Sequence, residues 1–320
     1  MTDEPSFVLF AGSSHETLAE AVARALKVGL GKVEIETFPD GEIGIQILEN
    51  VRGKDTFVLQ SPARHPNHFL MEMFIMVDAL KRASARSVVA VLPYYPYARQ
   101  DRKDKGRVPI TAKLVADLLE RAGVTRVLAM DLHTDQIQGF FNIPVDNLHA
   151  RPLFIHELQT LGLKDMVIVS PDVGSNRMAR KFAEDLQVDL AIVDKRRVSA
   201  RAVEPDALIG EVRGKHAILV DDICSTGATL AVAAKVCRMS GAQSVYAAVT
   251  HGLFVNDQLP SGIDRFFVTD SVIQSKALEN KIETVSIASY IAEVIDCVIS
   301  AKSISSLFAG FDAERVSKND

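Results

Sequence analysis

Ile218-Leu219-Val220-Asp221-Asp222-Ile223-Cys224-Ser225-Thr226-Gly227-Ala228-Thr229-Leu230 decides how this chain is read. An apolar run, the pattern of a buried parallel strand, ends in two adjacent carboxylates. A Ser/Thr/Gly loop follows, and then the helical pattern Leu230-Ala231-Val232-Ala233-Ala234-Lys235-Val236. Backbone N–H groups and hydroxyls at a helix N-terminus favour a bound phosphate. Asp221 and Asp222, at the carboxyl end of the strand, can accept hydrogen bonds from hydroxyls beside that phosphate. Phosphate with vicinal hydroxyls describes a ribose 5-phosphate. The bare carboxylate pair before Ser-Thr-Gly also reads as a strand-to-helix turn with a good cap; the thirteen-residue context favours the phosphate.

Outward from this stretch, short apolar runs alternate with amphipathic helical patterns. Strands are expected at 7–10, 56–60, 87–92, 126–130, 166–169, 190–193, 217–220, 244–249 and 265–268, and helices at 16–27, 67–84, 111–122 and 178–186. This is the pattern of parallel sheets flanked by helices. Strand-plus-acid endings recur, at Met130-Asp131 and Val220-Asp221-Asp222. Two similar α/β domains are expected, residues 1–148 and 149–308, with a polar tail at 309–320.

The chain has 320 residues, about half of them hydrophobic, with 36 Lys plus Arg against 41 Asp plus Glu and a net charge of −5. So mild an acidity argues against a nucleic-acid or membrane-surface binder, whose affinity needs a basic excess. The few, widely spaced cysteines, Cys224, Cys237 and Cys297, indicate neither a disulfide framework nor a zinc site. No apolar run reaches membrane-spanning length, and the acidic N-terminus lacks signal-peptide character. The expectation is a cytoplasmic, reduced protein.

Tyr94-Tyr95-Pro96-Tyr97-Ala98-Arg99-Gln100-Asp101-Arg102-Lys103 joins an aromatic cluster to a charged loop. It reads either as a solvated face or as a nucleotide contact in which Arg99 stacks on a base or pairs with phosphate. Asp40-Gly41 alone reads as a hairpin turn. His133 alone reads as a structural hydrogen-bonder, and Asp172 as a helix cap. The polar stretch from Arg196 to Ala207 lacks periodicity and reads as a long loop, either a lid or a solvated basic hairpin. Gly210 to His216 superficially resembles a Walker A motif, but the spacing is one short and His216 stands where Ser or Thr would hold Mg²⁺. ATP, if used, is used without a P-loop.

Together these motifs resemble the ribose-phosphate diphosphokinase (phosphoribosyl pyrophosphate synthetase) family, from about residue 8 to 308. The residues that carry the resemblance are Phe38-Pro39-Asp40-Gly41-Glu42, Tyr94–Ala112, Met130-Asp131-Leu132-His133, Gln136–Phe141, Ile143–Leu148, Ser170-Pro171-Asp172-Val173-Gly174, Asp194-Lys195-Arg196-Arg197 and the 221–229 loop. The resemblance implies two type I phosphoribosyltransferase-like domains, each a mostly parallel sheet flanked by helices. It implies transfer of the diphosphoryl group of Mg–ATP to O1 of ribose 5-phosphate, giving phosphoribosyl pyrophosphate and AMP. It assigns Lys195 and Arg197 to catalysis and Phe38, Asp40, Gly41, Glu42, Arg99, Gln100 and Asp101 to ATP. It gives Asp221, Asp222, Ser225, Thr226, Gly227, Ala228 and Thr229 to ribose 5-phosphate, and His133 and Asp172 to Mg²⁺. A homo-oligomer, usually a hexamer, and control by phosphate and ADP are implied as well.

Departures from the family pattern are Ser225 for Asp, Asn142 for Asp, Asn50 for a regulatory-site Ser, and Ser175 for a second Gly. A Cβ at 175 is expected to restrict backbone approach to the diphosphate. Two alternative functions are a phosphoribosyltransferase using a nucleobase and a non-catalytic regulatory paralogue.

Overall fold

Phe7-Val8-Leu9-Phe10-Ala11 opens the first sheet, in a computed structural model that describes residues 7–194 and 207–304. The expected catalytic pair Lys195 and Arg197, and most of the expected lid, lie outside the described residues. In chain order come β1 (Phe7–Ala11), α1 (Glu16–Leu26), β2 (Val33–Thr37), β3 (Ile43–Ile47), β4 (Asp55–Leu59), α2 (Pro66–Arg82) and β5 (Ser87–Leu92). Next are α3 (Thr111–Ala122), β6 (Arg126–Met130), a 3₁₀ segment (Asp135–Phe140) and β7 (Val145–Leu148). Then follow α4 (Arg151–Thr160), β8 (Met166–Ser170), α5 (Asn176–Leu186), β9 (Asp189–Asp194), β10 (Ala207–Ile209), β11 (His216–Cys224) and α6 (Ala228–Met239). β12 (Ser244–Gly252), β13 (Arg265–Thr269), β14 (Glu283–Val285) and α7 (Ala288–Ile299) complete the order.

The chain divides into two compact units. Among the described residues, one holds 7–149, Ser271–Ile273 and 287–304; the other holds 150–194, 207–270 and Gln274–Ser286. In the first, β1-β4-β5-β6-β7 lie in that order as a parallel sheet, and β2 and β3 form a separate antiparallel hairpin. Val88 to Leu92 are all buried, as expected of a parallel strand covered on both faces. Phe10, Val58, Met73, Ala90, Tyr95 and Leu119 share one core. Each large apolar side chain buried in this way stabilises by about 1.5–3 kcal/mol. α7, apolar nearly all round, packs on α1 within this unit.

The second unit is a seven-stranded sheet ordered β10-β9-β8-β11-β12-β13-β14. Only the short edge pair β10–β9 is antiparallel among its described strands. Its core joins Val169, Ala191, Leu219, Leu230, Val249 and Phe266. From β8 the chain winds outward one way to β9 and later the other way through β11. The reversal falls between β8 and β11, and in parallel α/β sheets ligands bind at the carboxyl ends of the strands flanking such a reversal. The Walker-like Val212 to Lys215 forms a turn ahead of β11, at the amino end of the strand, which is the wrong end for a phosphate loop.

The expected α/β class with mostly parallel sheets is what the chain adopts. The strand-plus-acid recurrence does not extend to identical winding, because the first sheet carries no reversal.

Candidate functional site

In the second unit, β11 stays hydrogen-bonded to β12 through Cys224↔Gly252 but to β8 only as far as Leu219↔Val169. Asp221 and Asp222 therefore sit on a part of the strand that reaches past its neighbour. Burial pushes the Asp221 carboxyl well above its ordinary value, and the negative charges of Asp222 and Asp172 push it further. The Asp222 N–H donates to Asp221 Oδ1 at 3.1 Å. Asp221 thus lies in the field of two further carboxylates where the sheet reverses.

Ser225 and Thr226 lead to Gly227, the N-cap of α6, at φ 77°. Only glycine adopts this left-handed conformation readily, and a Cβ here would also run into the ring of Pro260. A glycine cap brings no side-chain oxygen to the helix end, so the amides and positive dipole end of α6 are suited to an external anion. The Thr226 hydroxyl accepts the Ala228 N–H at 3.4 Å, and the segment after β12 folds over the loop, with Val255 N donating to Ser225 O at 3.1 Å. Cys224 is no nucleophile: burial, helped by the Asp221 charge, pushes its thiol up to about 12.

Asp172 follows β8. Its Oδ1 accepts the N–H groups of Gly174 at 2.9 Å and Ser175 at 3.2 Å. It therefore holds a tight turn just ahead of α5, whose N-cap is Ser175. Ser175 has φ −83° and ψ 0°, open to any residue. The Ser175 side chain is buried, its hydroxyl 3.3 Å from that of Ser170 and 3.2 Å from Asp172 Oδ1.

In the first unit, Phe38, Asp40, Gly41 and Glu42 form the exposed tip of the β2–β3 hairpin. Phe38 N–H donates to Glu42 O at 2.8 Å, and Asp40 Oδ1 accepts the Glu42 N–H at 3.2 Å. Gly41, at φ 92°, makes the turn. Phe38 is 42% exposed, its ring edge over Gly44.

Arg99 and Gln100 are exposed and Asp101 half-buried. The tyrosines that precede them do not reach a ligand site as a cluster, since Tyr94 and Tyr95 are buried, with Tyr95 OH on Ala112 O at 2.9 Å. Their apolar area is worth more in the core than at the surface. Thr111 donates to Gln100 Oε1, and Thr134 to Asp101 Oδ2 at 2.9 Å. Thr134 directly follows His133, which is exposed. Asp131, two residues earlier, is buried at φ 37° and pairs with His149 Nδ1 at 2.9 Å. Left-handed backbone at a non-glycine residue stores strain and is concentrated at functional sites.

His133 belongs to the first unit and Asp172 to the second. Among the described residues, no group of three or more His, Cys, Asp or Glu is arranged to hold a metal by itself. Oxygen donors suit Mg²⁺, which binds few protein groups and keeps water and substrate phosphate as the rest of its shell. Asp172 offers oxygens of that kind, and His133 a nitrogen that Mg²⁺ accepts less readily. Sequence reasoning missed Ser170, Thr134 and His149. Ser170 carried a readable signal, a polar residue at the buried end of an apolar strand; the other two did not.

Residues 7–123 match the family described as the N-terminal domain of ribose phosphate pyrophosphokinase, and residues 196–309 match the phosphoribosyl synthetase-associated domain. A ribose-phosphate pyrophosphokinase of Ralstonia nicotianae is 46% identical, with 94% of this chain and 98% of the relative covered. One from Wolinella succinogenes is 47% identical, covering 94% of this chain and 99% of the relative. The crystal structure of phosphoribosylpyrophosphate synthetase from Mycobacterium smegmatis superposes with a TM-score of 0.86 at 42% identity, covering 92% of this chain and 99% of that one. Among the described residues, no helix is long and apolar enough to cross a membrane.

Proposed function

The chain belongs to the ribose-phosphate pyrophosphokinase family, and on that premise we propose how its residues divide the work. The reaction moves the diphosphoryl group of ATP to O1 of ribose 5-phosphate, leaving phosphoribosyl pyrophosphate and AMP. The near full-length likeness is to enzymes of this activity, which sets aside the nucleobase transferase and the regulatory paralogue.

The second unit takes ribose 5-phosphate. The observation that carries this is the carboxylate pair Asp221–Asp222 on the overreaching end of β11, immediately before a helix capped by glycine. Asp221 and Asp222 accept the ribose hydroxyls, and Ser225, Thr226, Gly227, Ala228 and Thr229 cradle the 5-phosphate with hydroxyls and amides. The first unit takes ATP. Phe38 and Arg99 offer an exposed ring and a guanidinium plane for adenine, and Asp40, Gly41, Glu42, Gln100 and Asp101 shape the contact around them.

His133 and Asp172 would anchor Mg²⁺, which when bound neutralises negative charge on the ATP oxygens. O1 of the sugar attacks the β-phosphorus in line, the bond to the α-phosphate oxygen breaks, and AMP leaves with that oxygen. Little covalent work falls to side chains, so positioning and charge stabilisation dominate. Lys195 and Arg197 stabilise charge on the transferring group and on AMP. Replacing Lys195 by Ala lowers turnover by about 10²–10⁵ on this reading.

The proposal extends to a cytoplasmic homohexamer responsive to phosphate and ADP. AMP release from Mg–ATP, measured with and without ribose 5-phosphate at several phosphate concentrations, tests it. AMP release strictly dependent on the sugar phosphate supports the assignment. None from folded protein that still binds the sugar phosphate would refute it.

A further inference from the structure

A serine at a helix N-cap ordinarily turns its hydroxyl toward the first-turn N–H groups. Ser175, the N-cap of α5, makes no such bond. Its hydroxyl lies 3.2 Å from Asp172 Oδ1 and 3.3 Å from the hydroxyl of Ser170, the last residue of β8. Ser170 is fully buried and donates to the Asp172 carbonyl at 2.6 Å. Each hydroxyl has one proton. That of Ser170 is committed to the carbonyl, and the proton of Ser175 goes to the nearer and charged acceptor, Asp172 Oδ1 at 3.2 Å, over the already bonded carbonyl at 3.4 Å. Asp172 Oδ1 then collects three donors, the N–H groups of Gly174 and Ser175 and the Ser175 hydroxyl. Two buried hydroxyls, 3.3 Å apart, hold the turn's carbonyl and its carboxylate.

We propose that Ser175 is a positioning residue: backed by Ser170, it latches the Asp172 turn and so fixes the direction in which that carboxylate meets Mg²⁺. This rests on the assignment of Asp172 made above. A turn ordered before the nucleotide arrives removes an ordering cost from binding, so the effect falls on the affinity for Mg–ATP rather than on the chemical step. A hydrogen bond to a charged group corresponds to about 10–150-fold when its full worth is lost, and a contact that only pre-orders the turn passes on part of this, about 3–10-fold.

Ser175→Ala is expected to raise KM for Mg–ATP by that factor and leave kcat and KM for ribose 5-phosphate within about twofold. Ser175→Thr keeps a hydroxyl and restores the wild-type value. Calorimetric titration of Mg²⁺ with α,β-methylene-ATP, which needs no turnover, should show the same loss in the Ala variant and the same recovery with Thr. An equal loss for both substrates, or no recovery with Thr, would overturn the latch and leave Ser175 as packing only. Asp172→Ala separates the two levels. If it leaves Mg–ATP binding unchanged, the assignment of Asp172 itself fails. If it weakens nucleotide binding while Ser175→Ala behaves as the wild type, only the latch fails.

Discussion

Thr134 donates its hydroxyl to the Asp101 carboxylate at 2.9 Å, tying the loop after β6 to the loop that carries Arg99 and Gln100. His133 precedes Thr134 directly, so the candidate metal anchor and the candidate adenine contact are held in one frame. The bond predicts energetic coupling. In a double-mutant cycle of Thr134→Val and Asp101→Asn, read as Mg–ATP affinity, the two changes should interact by about 1 kcal/mol. Additive losses would mean that the loops act independently.

Asp221 is held in a conformation that disfavours its own charge. Its carboxyl is raised from an ordinary 3.8, first by burial and then by its acidic neighbours. The folded protein therefore holds this proton more tightly than the unfolded chain does. Stability is greatest below the unfolded value and declines as pH rises from about 4 through the folded value. Asp221→Asn keeps the oxygen that accepts the Asp222 N–H and removes the charge. Without substrates it should be more stable than the wild type at neutral pH, with no gain below about pH 4. Its activity with ribose 5-phosphate should fall steeply. Thermal denaturation across pH, paired with turnover, checks both halves; a variant less stable at neutral pH would contradict the charge argument.

Gly227 combines a left-handed φ with contact against Pro260. Gly227→Ala should distort the 225–229 loop, at a strain of about 1–2 kcal/mol before any clash is relieved. KM for ribose 5-phosphate is expected to rise by at least about tenfold, while KM for ATP changes far less. Comparable changes in both constants would point to general loosening of the unit instead.

Glu72 lies inside the first unit, only 1% exposed, and accepts from Ser13 N at 2.7 Å, Ser13 Oγ at 2.5 Å and Gln60 Nε2 at 2.7 Å. Gln60 in turn accepts from Ser14 N at 3.1 Å. The network joins the ends of β1 and β4 to α2. Removing the carboxylate leaves several buried donors without their acceptor, so Glu72→Ala should cost about 2–4 kcal/mol. A shift in urea midpoint too small for 1 kcal/mol would mean that water replaces the acceptor.

Strongly periodic elements were legible in the sequence. The helix at 111–122 and the strands at 87–92 and 126–130 fall where the pattern puts them. β2 and β3 escaped because only one face of the hairpin packs on the core, through Val33, Ile35, Ile45 and Ile47 in alternation with polar or small residues, which leaves no continuous apolar run; only Asp40-Gly41 marked the turn. α4 escaped because its apolar residues are spread around the helix, and α7 because it is apolar almost throughout. At the candidate site, the residues on strand ends and turns were legible because strand-loop-helix chemistry is local. The Thr134–Asp101 bond and the inward Ser175 hydroxyl were not, since a sequence does not reveal which way a loop hydroxyl points.

β11 belongs to two mechanical regimes. From His216 to Leu219 it is held on both sides, by β8 and by β12. From Val220 to Cys224, β12 alone among the described strands pairs with it, through pairs ending at Cys224↔Gly252. The carboxylates therefore ride on a cantilever. It is anchored deeply enough to keep its alignment, and it is unsupported on the flank where β8 stops. Amide exchange along this one strand should slow toward the anchored end and quicken toward the tip. Small displacements of a bound sugar would then be absorbed by flexing of the tip, while the sheet beneath it stays still.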